Sequence, residues 1–319
     1  MLNIIKKAAD NLLRLPQWNK RGVLSSRLKG EVNMVALLLA ALAVVGLAYL
    51  TMLIKTAHAR ESLGIHWEAV GLGAVTNFFD TLGIGCFAPS TAWIKFRRLV
   101  PDSFIPIVLN TGHALPAMAQ ALIFITLVQV DPILLIGCIS CSVTGALVGA
   151  PLVQRMNVKT LQLVVSTALV IAAILFTAKN LGLLPPGGSA LSLPTGLMVL
   201  AFVAHFVMGG LMTAGIGLYA PSLAVLSLMG LNPTAVFPIM MGSCASLMPS
   251  AGFSFLKSDR IDFPVVIGIA LGGIPAVLIA AYVVKSLPLD TLRWGVVAVI
   301  LYAAAVMARS ALKRDENPT

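Results

Sequence analysis

Charge is what this chain has least of. Of its 319 residues only 11% are Asp, Glu, Lys or Arg, and none of these lies between Asn180 and Leu256. A soluble chain cannot cover its surface with so few ionised groups, so a water-exposed globular fold is excluded. Enzymatic signatures are missing as well. The sequence has no G-x-S-x-G elbow, no H-E-x-x-H, no paired carboxylates and no phosphate loop of Walker type. No catalytic residue, cofactor or metal is therefore expected, and the chain is read as a non-enzyme.

What is present is hydrophobic length. Hydrophobic residues make up 58% of the chain, and runs of about twenty recur from Val32 to Ala308, each long enough to cross a hydrocarbon core about 30 Å thick. The runs are continuous and rich in Leu, Ala, Val and Ile, which predicts helices rather than strands. The expected fold is all-α: a polytopic helical membrane protein. The formal net charge of +10 would suggest nucleic acid in a soluble protein. Here the basic residues crowd into the first thirty positions, the short loops and the tail, a pattern that contact with the bilayer and its anionic lipid explains better.

The N-terminus does not read as a signal peptide. Leu2, Ile5, Ala9, Leu12 and Leu13 recur at helical spacing, with Lys6, Lys7, Asp10 and Arg14 between them, so residues 1–30 read as a basic amphipathic segment on the membrane surface. Lys20, Arg21, Arg27 and Lys29 precede the first span, Val32–Ile54, and place the N-terminus in the cytoplasm.

Offset by 132 residues, the chain resembles itself. Thr81, Gly83, Ile84, Gly85, Ala88, Pro89 and Ser90 align with Thr213, Gly215, Ile216, Gly217, Ala220, Pro221 and Ser222. Pro101 then meets Pro233, Pro106 meets Pro238, and Thr111 meets Ser243. One residue out of register, the stripe Gly137, Cys141, Gly145, Gly149 returns as Gly268, Gly272, Ala276, Ala280. Two membrane repeats follow, 32–153 and 159–284, with a closing helix at 289–308. In each repeat a plain span (Val32–Ile54 or Leu161–Ala178) precedes a segment interrupted by Gly-x-Gly and Pro (Ile65–Phe96 or Thr195–Met229). Two further spans follow, Phe104–Val128 and Pro132–Val153 in the first repeat, Thr234–Leu256 and Asp262–Val284 in the second. An interrupted segment of about thirty residues fits one broken span, two short tilted spans or a re-entrant hairpin. Counting Lys and Arg on alternating sides favours one broken span each, with Arg97, Arg98, Arg155, Lys159 and Lys285 all cytoplasmic.

The interruptions carry the expected chemistry. Glycine permits unwinding, and a proline suits the first turn of a new helix because it lacks an amide hydrogen. The chain is expected to break near Gly83–Gly85 and restart near Ala88–Pro89, with a twin break at Gly215–Gly217. Each restarting helix would aim free N–H groups and a positive dipole end into the gap, and two such ends together would make an anion site near mid-membrane. The substrate-binding candidates are Thr81, Gly83, Gly85, Pro89 and Ser90, with Thr213, Gly215, Gly217, Pro221 and Ser222. The serine and threonine hydroxyls would add donors without fixed charge.

Asp80 is the one acidic residue well inside the first interrupted segment. It is a candidate for proton coupling, or for a carboxylate that caps freed backbone amides. Asn77, Asn110, His113 and Ser243 are candidates for lining the pathway. His113 and His205 have no second ligand at metal spacing and read as hydrogen-bonded core histidines rather than metal ligands. Cys138 and Cys141 form a C-x-x-C that would suit a membrane thiol oxidoreductase. The glycine stripe around them favours close helix packing instead.

Phe78, Asp80, Gly83, Gly85 and Pro89, with Gly215, Gly217 and Pro221 in the second copy, make the sequence resemble the TauE/SafE sulfite exporter family of bacterial membrane proteins. The resemblance runs from about Trp67 to Ala308. The chain departs from the family pattern in its shorter glycine runs and its basic extension, Met1–Gly30. The resemblance implies transport of sulfite or a small organosulfur anion across the inner membrane, coupled to protons. Transport of another small carboxylate or sulfonate is the alternative. The partners expected are a small anionic substrate and the lipid bilayer, with no nucleic acid, and a homo-oligomer is left open.

Overall fold

The computed structural model describes residues 22–101, 104–153, 188–213 and 217–286, with scattered residues between 163 and 183 and between 294 and 309. The spans expected at Leu161–Ala178 and Leu289–Ala308 fall mostly outside the described residues, as do the segment 1–21 and Gly215.

Among the described residues the protein is a bundle of helices, with a single isolated β-bridge, Ala190–Leu231. It is an all-α polytopic membrane protein. Among the described residues five helices are long and apolar enough to cross a membrane: Asn33–Ala59, Ile105–Leu127, Thr195–Met212, Pro233–Phe255 and Phe263–Val283.

Helix α1 (Gly22–Ala59) has 38 residues; at helical rise that is about 57 Å, far more than the hydrocarbon core. Residues 22–30, placed by sequence in the surface segment, belong to this same helix. The outward residues Leu37, Val44 and Leu47 are exposed and apolar, as a lipid-facing helix requires.

Next come α2 (Trp67–Thr81) and α3 (Phe87–Arg97), of 15 and 11 residues. At about 22 and 16 Å neither crosses the core alone. Their outer ends meet. The Arg97 Nε donates to Glu68 Oε1 at 2.6 Å, and the Trp93 indole N–H donates to the same oxygen at 3.2 Å. Glu68 opens α2 and Arg97 closes α3, so the chain goes in and comes back out at one end. The broken crossing favoured by the Lys and Arg count is corrected here to a re-entrant hairpin. That count could not see a fold-back, because it assumes that every segment changes side.

The chain then runs through α4 (Ile105–Gly112) and α5 (Ala114–Leu127), which together make one bent span. His113 sits at the bend. Pro116 cannot donate to the carbonyl four residues back, at Gly112, which accounts for the break in the ladder. Helix α6 (Pro132–Val153) returns, started by Asp131, whose Oδ1 accepts from the Leu134 N–H at 2.9 Å.

The second interrupted segment also folds back. It comprises α7 (Thr195–Thr213) and α8 (Tyr219–Leu228). Asn232, just beyond α8, donates its N–H to the Ala190 carbonyl before α7 at 2.8 Å, beside the Ala190–Leu231 bridge. Helices α9 (Pro233–Phe255) and α10 (Phe263–Ser286) complete the described bundle.

The two hairpins enter from opposite ends. At one end Arg60 donates to the carbonyls of Ser258 and Lys257 at 2.7 and 2.8 Å, and the His66 N–H donates to the Pro264 carbonyl. The end of α1, the base of the first hairpin and the α9–α10 turn therefore lie together. At the other end the Asp131 N–H donates to the Leu191 carbonyl, joining the α5–α6 turn to the base of the second hairpin. Arg97 and Lys285, expected on one side, consequently lie at opposite ends.

Glycine contacts seat each hairpin on a span of the other half. A Cβ on Gly145 of α6 would overlap the Phe206 carbonyl of α7, and one on Gly272 of α10 would overlap the Val70 carbonyl of α2. The backbones touch, as small-residue stripes permit. Cys138 is buried in α6, which makes this contact with α7, and both Cys138 and Cys141 are free thiols.

Candidate functional site

The tip of the first hairpin follows from its glycines. The Gly83 N–H donates to the Asp80 carbonyl and the Ile84 N–H to the Phe79 carbonyl, with Gly83 at φ 94°. This double closure with a left-handed residue is the Schellman stop, and an L side chain there would be strained. Gly85 at φ 88° turns the chain again, and α3 begins two residues later. Gly83 thus serves the helix stop. Gly85 borders open space, since a Cβ built on it meets nothing within 4 Å. Among the described residues the same holds for Gly217, its counterpart at the second tip. Gly215 and the side chain of Thr213 are outside the described residues.

Asp80 closes α2 and is almost fully buried, at 2% exposure. Its Oδ2 accepts from Gln120 Nε2 of α5 at 2.9 Å. Cys86, at the start of α3, and Tyr219, first residue of α8, lie near the carboxyl. The start of each restarting helix is therefore represented beside one carboxyl group. No ion pair among the described residues includes Asp80.

Gln120 ties the two hairpins together. Its Nε2 donates also to Thr81 Oγ1 at 3.0 Å, and its Oε1 accepts from the Tyr219 hydroxyl. The amide orientation is fixed by chemistry. The Thr81 hydroxyl donates to the Asn77 carbonyl at 2.8 Å, so its oxygen must accept from Gln120, and the atom facing it is the nitrogen.

Two serine–histidine pairs flank this centre. Ser90 Oγ lies 3.0 Å from His113 Nε2, and Ser222 Oγ lies 3.1 Å from His205 Nε2. The other ring nitrogens decide the direction. His205 Nδ1 faces the Ala201 carbonyl at 2.9 Å, which can only accept. His113 Nδ1 faces Asn77 Oδ1 at 3.0 Å, and that atom is the oxygen because Asn77 Nδ2 donates to the Gly73 carbonyl. Both Nδ1 atoms carry the hydrogen, so in a neutral ring each Nε2 accepts from a serine. The hydroxyl hydrogens of Ser90 and Ser222, read from sequence as donors to an anion, point to imidazoles instead.

The remaining candidates are less engaged. Asn110 Nδ2 donates to the Pro106 carbonyl in its own helix. Ser243 is fully buried on α9, and its hydroxyl has no partner among the described residues. Pro89 and Pro221 sit in the first turns of α3 and α8. No group of three potential metal ligands occurs among the described residues. Gln120, Tyr219 and Cys86 are the polar groups at the centre that sequence reasoning missed.

Compared with known proteins, residues 197–319 match the model of the family described as sulfite exporter TauE/SafE, consistent with a membrane transporter of that family. The match begins within α7 and covers the second hairpin, α9 and α10. No curated protein and no solved structure gives a match.

Proposed function

From a chain whose residues 197–319 carry the sulfite exporter TauE/SafE match, we propose a transporter that moves sulfite or a small organosulfur anion across the inner membrane. One observation carries the reading. Two hairpins from opposite ends bring the starts of α3 and α8 to a single buried centre at Asp80, Gln120 and Tyr219. Helix starts and neutral donors suit an anion better than a cation, and the absence of a fixed positive charge lets the anion leave again. Asp80 is the coupling group: a proton taken up by its carboxylate removes the negative charge that would repel the substrate.

A carboxylate or sulfonate substrate is the second reading, favoured by the fact that these donors already hold a carboxylate. The orientation we adopt has a cytoplasmic N-terminus, supported by Lys20, Arg21, Arg27 and Lys29. Lys95, Arg97, Arg98, Lys257 and Arg260, at the far end of α1, pull the other way. The test of function is flux into proteoliposomes of the purified chain, with sulfite, methanesulfonate and acetate as probes. Saturable sulfite flux favoured over both others supports the proposal; flux of acetate alone moves it to the second reading. No flux of any of the three removes it.

A further inference from the structure

The two hairpins close alike in backbone and unlike in charge. At the end of α3 the Arg98 N–H donates to the Lys95 carbonyl at 3.3 Å and the Leu99 N–H to the Ile94 carbonyl at 3.1 Å. At the end of α8 the Gly230 N–H donates to the Ser227 carbonyl at 3.1 Å and the Leu231 N–H to the Leu226 carbonyl at 3.1 Å. Every residue of the second pair of bonds is the counterpart of one in the first at the offset of 132 that aligns the repeats. Both stops hold a left-handed residue, Gly230 at φ 100° and Arg98 at φ 53°. Glycine takes that backbone freely, whereas arginine takes it under strain. The second half therefore carries the residue that suits the geometry, and the first half keeps a cation there against the fold's preference. Strain retained at one such position points to a use for its side chain.

We propose that Arg98 holds the phosphate of an anionic phospholipid headgroup, in an open cleft of about 580 Å³ at the outer end of the first hairpin. Among the described residues the cleft is lined by Lys95 and Arg98 together with Leu99, Val100 and Pro101. Two cationic side chains match a phosphodiester, and the planar guanidinium can engage two of its oxygens at once. The apolar residues beside them match the glycerol and upper acyl chains, which a free inorganic anion lacks. The surroundings place the cleft at headgroup depth. Trp67 opens α2, Trp93 lies near the close of α3, and both are exposed, as indole rings are at membrane interfaces. The neighbouring Arg97 is held by Glu68 at 2.6 Å, whereas no ion pair among the described residues includes Arg98. The corresponding end of the second hairpin carries no charge, because no Asp, Glu, Lys or Arg lies between Asn180 and Leu256. A cation at the lipid surface attracts anionic headgroups in particular, so the recognition belongs to the first hairpin.

The experiment removes the cation without harming the backbone. Thermal unfolding of the purified full chain is followed in uncharged detergent with added phosphatidylglycerol or phosphatidylcholine, for wild type, Arg98→Gly and Lys257→Gln. Wild type is expected to unfold a few degrees higher with phosphatidylglycerol than with phosphatidylcholine, as a ligand of the folded state requires. Arg98→Gly is expected to lose at least about half of that difference. In phosphatidylcholine it is expected to unfold no lower than wild type, because glycine relieves the left-handed strain as Gly230 does. Lys257 is an exposed cation at the same end of the bundle but outside the cleft, and Lys257→Gln is expected to keep the full response. Equal responses of wild type and Arg98→Gly to phosphatidylglycerol overturn the proposal. An equal loss in Lys257→Gln also overturns it, since the effect would then belong to surface charge at large. An Arg98→Gly chain that unfolds lower in phosphatidylcholine, or fails to fold, makes the arginine a structural residue and overturns it too. Inorganic phosphate at the same concentration is expected to raise the wild-type midpoint by less than half as much. An equal rise would give the cleft to a free anion and end the assignment to lipid.

Discussion

Valine at Gly85 or Gly217 tests whether the hairpin tips are a transport site rather than a folding element. The two glycines are counterparts at the hairpin tips, and a Cβ on either meets none of the described residues within 4 Å. Gly85 has a positive φ, 88°. A valine there carries the left-handed penalty of about 1–2 kcal/mol, and β-branching adds to it. Against an ordinary stability of about 5–15 kcal/mol that chain still folds. Thermal unfolding in detergent is expected to place Gly85→Val a few degrees below wild type. Sulfite flux in proteoliposomes is expected to vanish in both, because the branched side chain fills the space beside the anion site. A folded Gly217→Val that carries sulfite at the wild-type rate would refute the reasoning outright.

Other consequences are open to measurement. Asp80→Asn is expected to lose accumulation driven by a pH gradient while still binding sulfite; gradient-driven accumulation in that variant would reduce Asp80 to a structural cap. Gly145→Val forces a side chain into the Phe206 carbonyl and is expected to lose about 1–3 kcal/mol or more of stability, read as a lower unfolding temperature. An unchanged midpoint would mean that α6 and α7 do not touch. Replacing Cys138 and Cys141 together by Ala is expected to leave sulfite flux intact, and a mixed disulfide trapped at either cysteine would revive the oxidoreductase. Asp259, whose side chain is fully exposed, tests orientation. An impermeant thiol reagent is expected to label Asp259→Cys from outside the inner membrane, and labelling only after permeabilisation would reverse the topology.

Much of the fold was legible because composition dictates it: a chain with no charge from 181 to 255 has one solvent, and lipid admits helices. Direction was not legible. Hydropathy measures the length of a segment but not whether it returns, and the return is set by contacts between distant residues, Glu68 with Arg97 and Ala190 with Asn232. A pair of opposite charges 29 positions apart looks like two solvated loop residues until the fold joins them. At the site, Asp80 was visible as a lone acid in an apolar run. Gln120 left a similar signal, the only amide side chain in α5, and a buried amide in a membrane helix needs partners as surely as a carboxylate does. Tyr219 and Cys86 left none, since a tyrosine or cysteine in an apolar stretch reads as core. The reversed polarity of Ser90 and Ser222 was also beyond sequence. It follows from where His113 and His205 place their second nitrogens, and that depends on carbonyl positions no residue pattern encodes.

The most direct test of the central claim is to see the anion. Selenite has the shape and charge of sulfite and scatters X-rays anomalously, so crystals of the full chain grown with selenite will report the position of selenium. The account predicts selenium at the buried centre between the two hairpins, at the starts of α3 and α8. Selenium found only at the basic residues near Arg97 and Arg98 would contradict it.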